Sequence, residues 1–139
     1  VLSRRVNAAT WNVPIDGDAM QLSGSHSFFI AESIDAELLA RVHKKDIHPT
    51  GPLHGRGDSP VQGTCRQLEH AVLAAHVDWC AGLEAAGLKQ DRRALRLMVQ
   101  DLSWQRTGMA DLLLEFSLPA GAYATCVLRE LILAVTPAG

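Results

Sequence analysis

Leu112-Leu113-Leu114-Glu115-Phe116-Ser117-Leu118-Pro119-Ala120-Gly121-Ala122-Tyr123-Ala124-Thr125-Cys126-Val127-Leu128-Arg129-Glu130-Leu131 changes its period halfway along. Leu112, Leu114, Phe116 and Leu118 alternate with Leu113, Glu115 and Ser117, the two-residue repeat of a strand with two unlike faces. Tyr123, Val127, Leu128, Leu131 and Val135 then recur at helical spacing. Pro119-Ala120-Gly121 breaks the chain between them. A strand, a tight turn and a helix that packs back on a sheet are predicted here, and the chain is of mixed class, α+β or α/β.

Upstream, Leu95, Leu97 and Val99 alternate with Arg96 and Met98, which predicts another strand. Thr64 to Ala81 places Leu68, Val72, Ala75 and Trp79 on one stripe and meets Gly82, so a helix ending there is predicted, with a further turn over Leu83–Ala86 stopped by Gly87. Asp46 to Gly63 holds four glycines and three prolines and predicts a long loop. Asp35 to Lys44 repeats Leu38, Leu39 and Val42 as a short surface helix, with Arg41 and Lys45 toward its C-terminal end, where cations suit the dipole. Ala19–Leu22 and Ser27–Ile30 flank Ser23-Gly24-Ser25 as a hairpin. Val1-Leu2-Ser3-Arg4-Arg5-Val6 reads as the last turns of an amphipathic helix without a start signal, an expectation that the chain opens inside an element.

The 139 residues are 47% apolar, enough for one core or for one domain with part of a second. A formal charge of −2 gives no global basic field, so contact with nucleic acid has to be local. Cys65, Cys80 and Cys126 lack paired short spacings and fit unpaired, buried thiols in a reducing, cytoplasmic compartment. Apolar runs stop well short of the roughly 20 residues of a membrane span, and no basic-then-apolar leader opens the sequence.

Gly51-Pro52-Leu53-His54-Gly55-Arg56-Gly57-Asp58 can be a phosphate cradle, with converging amides and the Arg56 charge, or a Gly/Pro-rich surface turn. It lacks the Gly-Lys-Ser/Thr ending of a nucleotide-hydrolysing loop. The histidines lack the spacings of a zinc site, and His70 and His76 do not share a helical face. Cys80 and Cys126 lie on apolar helical stretches where thiols are usually inert. Arg4-Arg5, Lys44-Lys45 and Arg92-Arg93 with Arg96 can meet RNA phosphates or form solvated faces.

Leu118-Pro119-Ala120-Gly121-Ala122-Tyr123-Ala124-Thr125 followed by Leu128-Arg129-Glu130-Leu131 resembles the closing motif of the tRNA pseudouridine synthase D family. Asp16-Gly17-Asp18, Asp46-Ile47-His48-Pro49-Thr50-Gly51-Pro52-Leu53 and Asp101-Leu102-Ser103-Trp104 also look like that family. These patches lie in the family's order and together cover nearly all of the chain.

The resemblance implies isomerisation of a particular uridine, uridine 13 of certain tRNAs, to pseudouridine without cofactor or metal. In that family an aspartate in a Gly-x-Lys-Asp motif acts on the ribose of a flipped-out uridine, the glycosidic bond breaks, and the base rotates and rejoins through carbon. Gly87-Leu88-Lys89-Gln90-Asp91 has one residue too many for that motif, and Asp91 is not assigned to it. The resemblance implies that residues 1–103 form most of a TRUD-type insertion domain and that 104–139 return into the catalytic domain. No catalytic residue is expected in this chain. Tyr123, Ala124, Thr125 and Arg129 are expected at the wall of the uridine pocket, and His54, Arg56, Arg92 and Arg93 at the RNA. His54 stands where relatives often carry a tryptophan or another residue in the loop. The expected partners are tRNA and the missing N-terminal catalytic half of the same protein. The alternative is a stand-alone, non-catalytic RNA-binding or assembly module.

Overall fold

The structure is a computed structural model that describes residues 1–131. The chain divides into two compact units, Val1–Arg96 and Leu97–Gly139.

The first unit is built on an antiparallel sheet of β1 (Ala19–Leu22), β2 (Phe28–Ile30), β3 (Ile47–Leu53) and β4 (Asp91–Ala94), in the order β2-β1-β3-β4. Successive strand residues face opposite ways, so Ala19 and Met20 mark its two faces. Met20 and Ile47 pack against Leu38 and Val42 of α2 (Ala36–His43), whereas Ala19 packs with Val61 and with Cys65 of α3 (Gly63–Leu73). The α+β expectation and the hairpin hold, and α2 begins where Asp35 accepts the Leu38 amide at 2.8 Å.

The predicted loop over Asp46–Gly63 is corrected at its start, because Ile47–Leu53 is the strand between β1 and β4. Proline suits an extended backbone but brings no donor, and Pro49 works here through its carbonyl, which accepts the Leu95 amide at 2.9 Å. Gly51 leaves room for the Leu95 side chain, whose Cδ2 would lie 2.8 Å from any Cβ there. Leu95–Val99 is accordingly no strand. Leu95 is tied back to β3, and regular structure resumes in β5 (Gln100–Arg106).

The predicted helix over Thr64–Ala81 is two helices, α3 and α4 (Val77–Ala85), joined by a 3-10 turn at Ala74–His76. Gly82 lies inside α4. The stop is Gly87, at φ +80°, whose amide returns to Glu84 while the Leu88 amide returns to Leu83. The expected apolar stripe is not what α3 buries: Trp79 is 78% exposed, and the buried residues of α3 are Cys65 and Glu69.

Glu69 belongs to a polar core. Its carboxylate meets both terminal nitrogens of Arg92, at 2.6 and 3.2 Å, and Arg92 also donates to Thr50 Oγ1 at 2.7 Å. Arg5 of α1 (Leu2–Asn7) lies 2.7 Å from Asp18 and donates to the Thr10 and Val13 carbonyls. The Cys65 thiol stands between the two pairs, 3.5 Å from Asp18 Oδ1 and 3.7 Å from Glu69 Oε1. Burial and both carboxylates push that thiol's pKa far up, so it stays protonated and able to donate.

Asp16-Gly17-Asp18 ties these parts together. Asp16 supplies its carboxylate to the Thr64 amide and its carbonyl to the Cys65 amide, satisfying donors at the start of α3. Gly17, at φ +74°, runs so close to Gln62 that a Cβ would lie 2.1 Å from that carbonyl oxygen.

In the second unit β5 pairs antiparallel with β6 (Leu112–Ser117), with a register shift between Gln100 and Ser103. Helix α5 is described over Ala124–Leu131, and Val135 of the predicted helix lies outside the described residues. The domain boundary expected after Ser103 falls inside β5, while the compact units divide between Arg96 and Leu97.

Lys45 closes α2 in the left-handed region at φ +63°, with its amide on Val42 and the Asp46 amide on Arg41. Lys45→Gly relieves that strain and is expected to stabilise the unit by about 0.5–1 kcal/mol in urea unfolding. Asp18 has a raised pKa because burial outweighs the attraction of Arg5. Its folded form therefore holds a proton more tightly than its unfolded form, and its contribution grows as pH falls through that raised pKa. The stability of this chain relative to Asp18→Asn is expected to increase as pH falls toward the ordinary carboxylate range, whereas a difference that falls would show that Arg5 outweighs burial and a flat one that the two cancel.

Candidate functional site

The closing motif begins on β6, where Leu114 and Phe116 are half-buried and Leu112 and Leu113 exposed. The Ala122 amide returns to Pro119 at 3.1 Å and Gly121 takes φ +80°, the left-handed third position of a tight turn. The Cys126 amide reaches back to the Tyr123 carbonyl at 3.0 Å, so Tyr123 sits at the mouth of α5. Tyr123 is 70% exposed, and Ala124, Thr125 and Arg129 are exposed as well. Thr125 and Arg129 are four residues apart and share one helical face. Val127 is the buried residue of α5. This short piece presents an aromatic ring, a hydroxyl and a guanidinium outward, groups suited to stacking on a base, hydrogen bonding and gripping phosphate.

The four residues expected at RNA in the first unit separate. Arg92 is corrected to an interior residue, because its guanidinium is spent on Glu69, Thr50 and Ser59. Arg93, the next residue of β4, faces the other side of the sheet and is exposed. His54 Nε2 lies 3.0 Å from Glu84 Oε1, and Arg56 donates to the Glu84 carbonyl, so both anchor their loop to α4. Arg96, grouped with them by sequence, is turned inward onto Ile47 and Val42.

The phosphate-cradle reading of Gly51–Asp58 loses both the charge and the amide of Arg56 to backbone carbonyls. The Arg56 amide donates to Leu88 at 2.7 Å and the Gln90 amide donates to Arg56 at 2.9 Å. Gly55 packs against backbone: a Cβ there would lie 2.5 Å from the Lys89 carbonyl carbon. Gly55 allows two backbones to meet, while Gly51 and Gly57 face the side chains of Leu95 and Gln90.

The cysteines also differ from one another. Cys65 is buried, Cys80 is half-buried and Cys126 is exposed, so the expectation of an inert thiol on an apolar stretch does not describe Cys126. Sequence reading missed Cys65, Glu69 and Thr50 as partners of one network. The signal available was an acidic residue, Glu69, four residues after Cys65 on one helical face.

The sequence pattern of the family described as tRNA pseudouridine synthase D (TruD) matches residues 1–131. A tRNA pseudouridine synthase D of Nitrosococcus oceani is 58% identical over 133 residues, covering 95% of this chain and 37% of that protein. One of Hydrogenovibrio crunogenus is 50% identical over 131 residues, covering 94% and 38%. The chain therefore spans little more than a third of the length of these relatives. A solved structure from Methanosarcina mazei, provisionally named tRNA pseudouridine synthase D, superposes with a TM-score of 0.68 at 24% identity, over 93% of this chain and 34% of that one, a likeness of fold. With the family pattern running from the first residue of α1's cap to the end of α5, this chain belongs to the tRNA pseudouridine synthase D family.

Proposed function

We propose that this chain takes part in the cytosolic isomerisation of uridine to pseudouridine in tRNA, at uridine 13, as one portion of a longer enzyme. The observation that carries this reading is the outward face of the strand–turn–helix at 112–131, where Tyr123 stands beside the start of the helix that bears Thr125 and Arg129. In the proposal these residues and Ala124 wall the pocket of a flipped-out uridine, with Tyr123 offering a stacking surface and Arg129 a phosphate contact. The family's aspartate, which acts on the ribose, is supplied from outside this chain, since no Gly-x-Lys-Asp occurs in it.

The first unit is proposed as most of the TRUD-type insertion and the β5–β6–α5 piece as the return into the catalytic domain. Arg93, exposed on its strand, is the RNA contact retained from the basic pair, and His54 and Arg56 shape the neighbouring loop. Flipping a base needs a broad grip on the backbone, which a separate unit can provide without touching the chemistry. None of the described helices is long and apolar enough to cross a membrane.

The purified 139-residue chain is expected to form no pseudouridine in tRNA by mass spectrometry of digests, yet to retard tRNA in electrophoretic titration at low salt and much less at higher salt. Pseudouridine formed by the chain alone, or no retardation at low salt, would overturn the reading. In a full-length enzyme carrying this sequence, Arg129→Ala is expected to lower kcat/KM about tenfold or more at unchanged thermal stability. Unchanged turnover would remove Arg129 from the pocket.

A further inference from the structure

Arg96 is the last residue of the first unit, and its side chain turns back into that unit. Nη2 lies 2.6 Å from the Ile47 carbonyl, both terminal nitrogens lie 3.2 Å from the Val42 carbonyl, and Nε lies 3.1 Å from His48 Nδ1. One guanidinium thus ties the last turn of α2 to the first two residues of β3. The residue before it, Leu95, is fixed by its amide on Pro49.

The contact with His48 fixes the state of that ring. A guanidinium carries donors only, so Nδ1 must offer its lone pair and the ring proton must sit on Nε2. His48 is buried and pairs across the sheet with the neutral Gln21. The charged groups that act on it are Arg96, from the end of β4, and Asp46, from the turn between α2 and β3. The Asp46 carboxylate is itself held by Arg41 at 2.7 Å.

We propose that Arg96 and His48 form an acid-sensitive latch that fixes the point at which the chain leaves the first unit. With the ring neutral, all the Arg96 contacts are made together. A proton on Nδ1 removes the acceptor and sets two cations side by side, which expels the guanidinium from the Ile47 and Val42 carbonyls. Burial and the Arg96 charge hold His48 below its ordinary pKa, while Asp46 opposes them. The folded unit thus binds this proton less readily than the unfolded chain, so the latch is closed above the ordinary histidine value and lost as pH falls through the lowered one. Residues Leu97–Val99 follow without regular structure, and Arg96 is the last residue of the first unit.

The test is NMR on the 15N-labelled 139-residue chain. The expected result is an Nε2–H tautomer for His48 at neutral pH, with exchange of the Leu95 amide, corrected for its intrinsic rate, rising about tenfold or more as His48 titrates. Arg96→Lys keeps a cation but loses the fork, and is expected to show the fast Leu95 exchange already at neutral pH, with no step on acidification and unchanged exchange in α3. An Nδ1–H tautomer in the unaltered chain overturns the proposal, as does a pH step that survives in Arg96→Lys. Should that variant unfold, the tautomer and the coincidence of the two titrations in the unaltered chain still decide.

Discussion

The Arg92–Glu69 pair, held almost wholly out of water, sets the terms for the first unit. A buried charge is tolerated only when a partner and a full set of hydrogen bonds replace its hydration, and here Thr50, Ser59 and the thiol of Cys65 complete the shell. The same thiol borders Asp18, and through Asp18 the network reaches Arg5. Helices α1 and α3 and strands β1, β3 and β4 are therefore joined by polar groups of exact direction as well as by apolar contact. Losing one member of a hydrogen-bonded buried pair costs about 3–5 kcal/mol, a large share of the stability of a small domain. One contact is imperfect, because Arg5 Nη1 lies close to Asp18 without the alignment of a hydrogen bond.

This network also explains what could and could not be read in the sequence. The hairpin, α2, β6 and α5 follow from period and turn chemistry, although Leu39, Leu112, Tyr123 and Leu131 of the expected apolar faces are exposed. Strand β3 was illegible because Pro49, Gly51 and Pro52 have poor strand propensity, and only the pairing of β1 and β4 on either side makes the segment extended. The stripe of Leu68, Val72, Ala75 and Trp79 misled because α3 turns Cys65 and Glu69 inward instead. Charged residues default to the surface, so nothing local distinguishes Arg92 from Arg93. Their opposite fates come from strand alternation and from a glutamate 23 residues away.

The candidate site shows the same division. The order of strand, turn and helix at 112–131 was plain in the sequence, and so were the polar groups it displays. Which loop residues are occupied elsewhere was not, because Glu84 is distant in sequence from His54 and Arg56, and only folding brings them together. The loop keeps its shape through backbone contacts with Leu88, Lys89 and Gln90, so its glycines serve packing between segments.

The unequal cysteines have a practical consequence. Cys126 is exposed on α5, between Thr125 and Arg129, while Cys65 is enclosed and kept as an unreactive thiol. A maleimide dye can therefore be attached beside the closing motif while the polar core stays intact, once half-buried Cys80 is replaced by serine or alanine. The chain thus carries its own labelling handle on α5, next to Thr125 and one helical turn before Glu130.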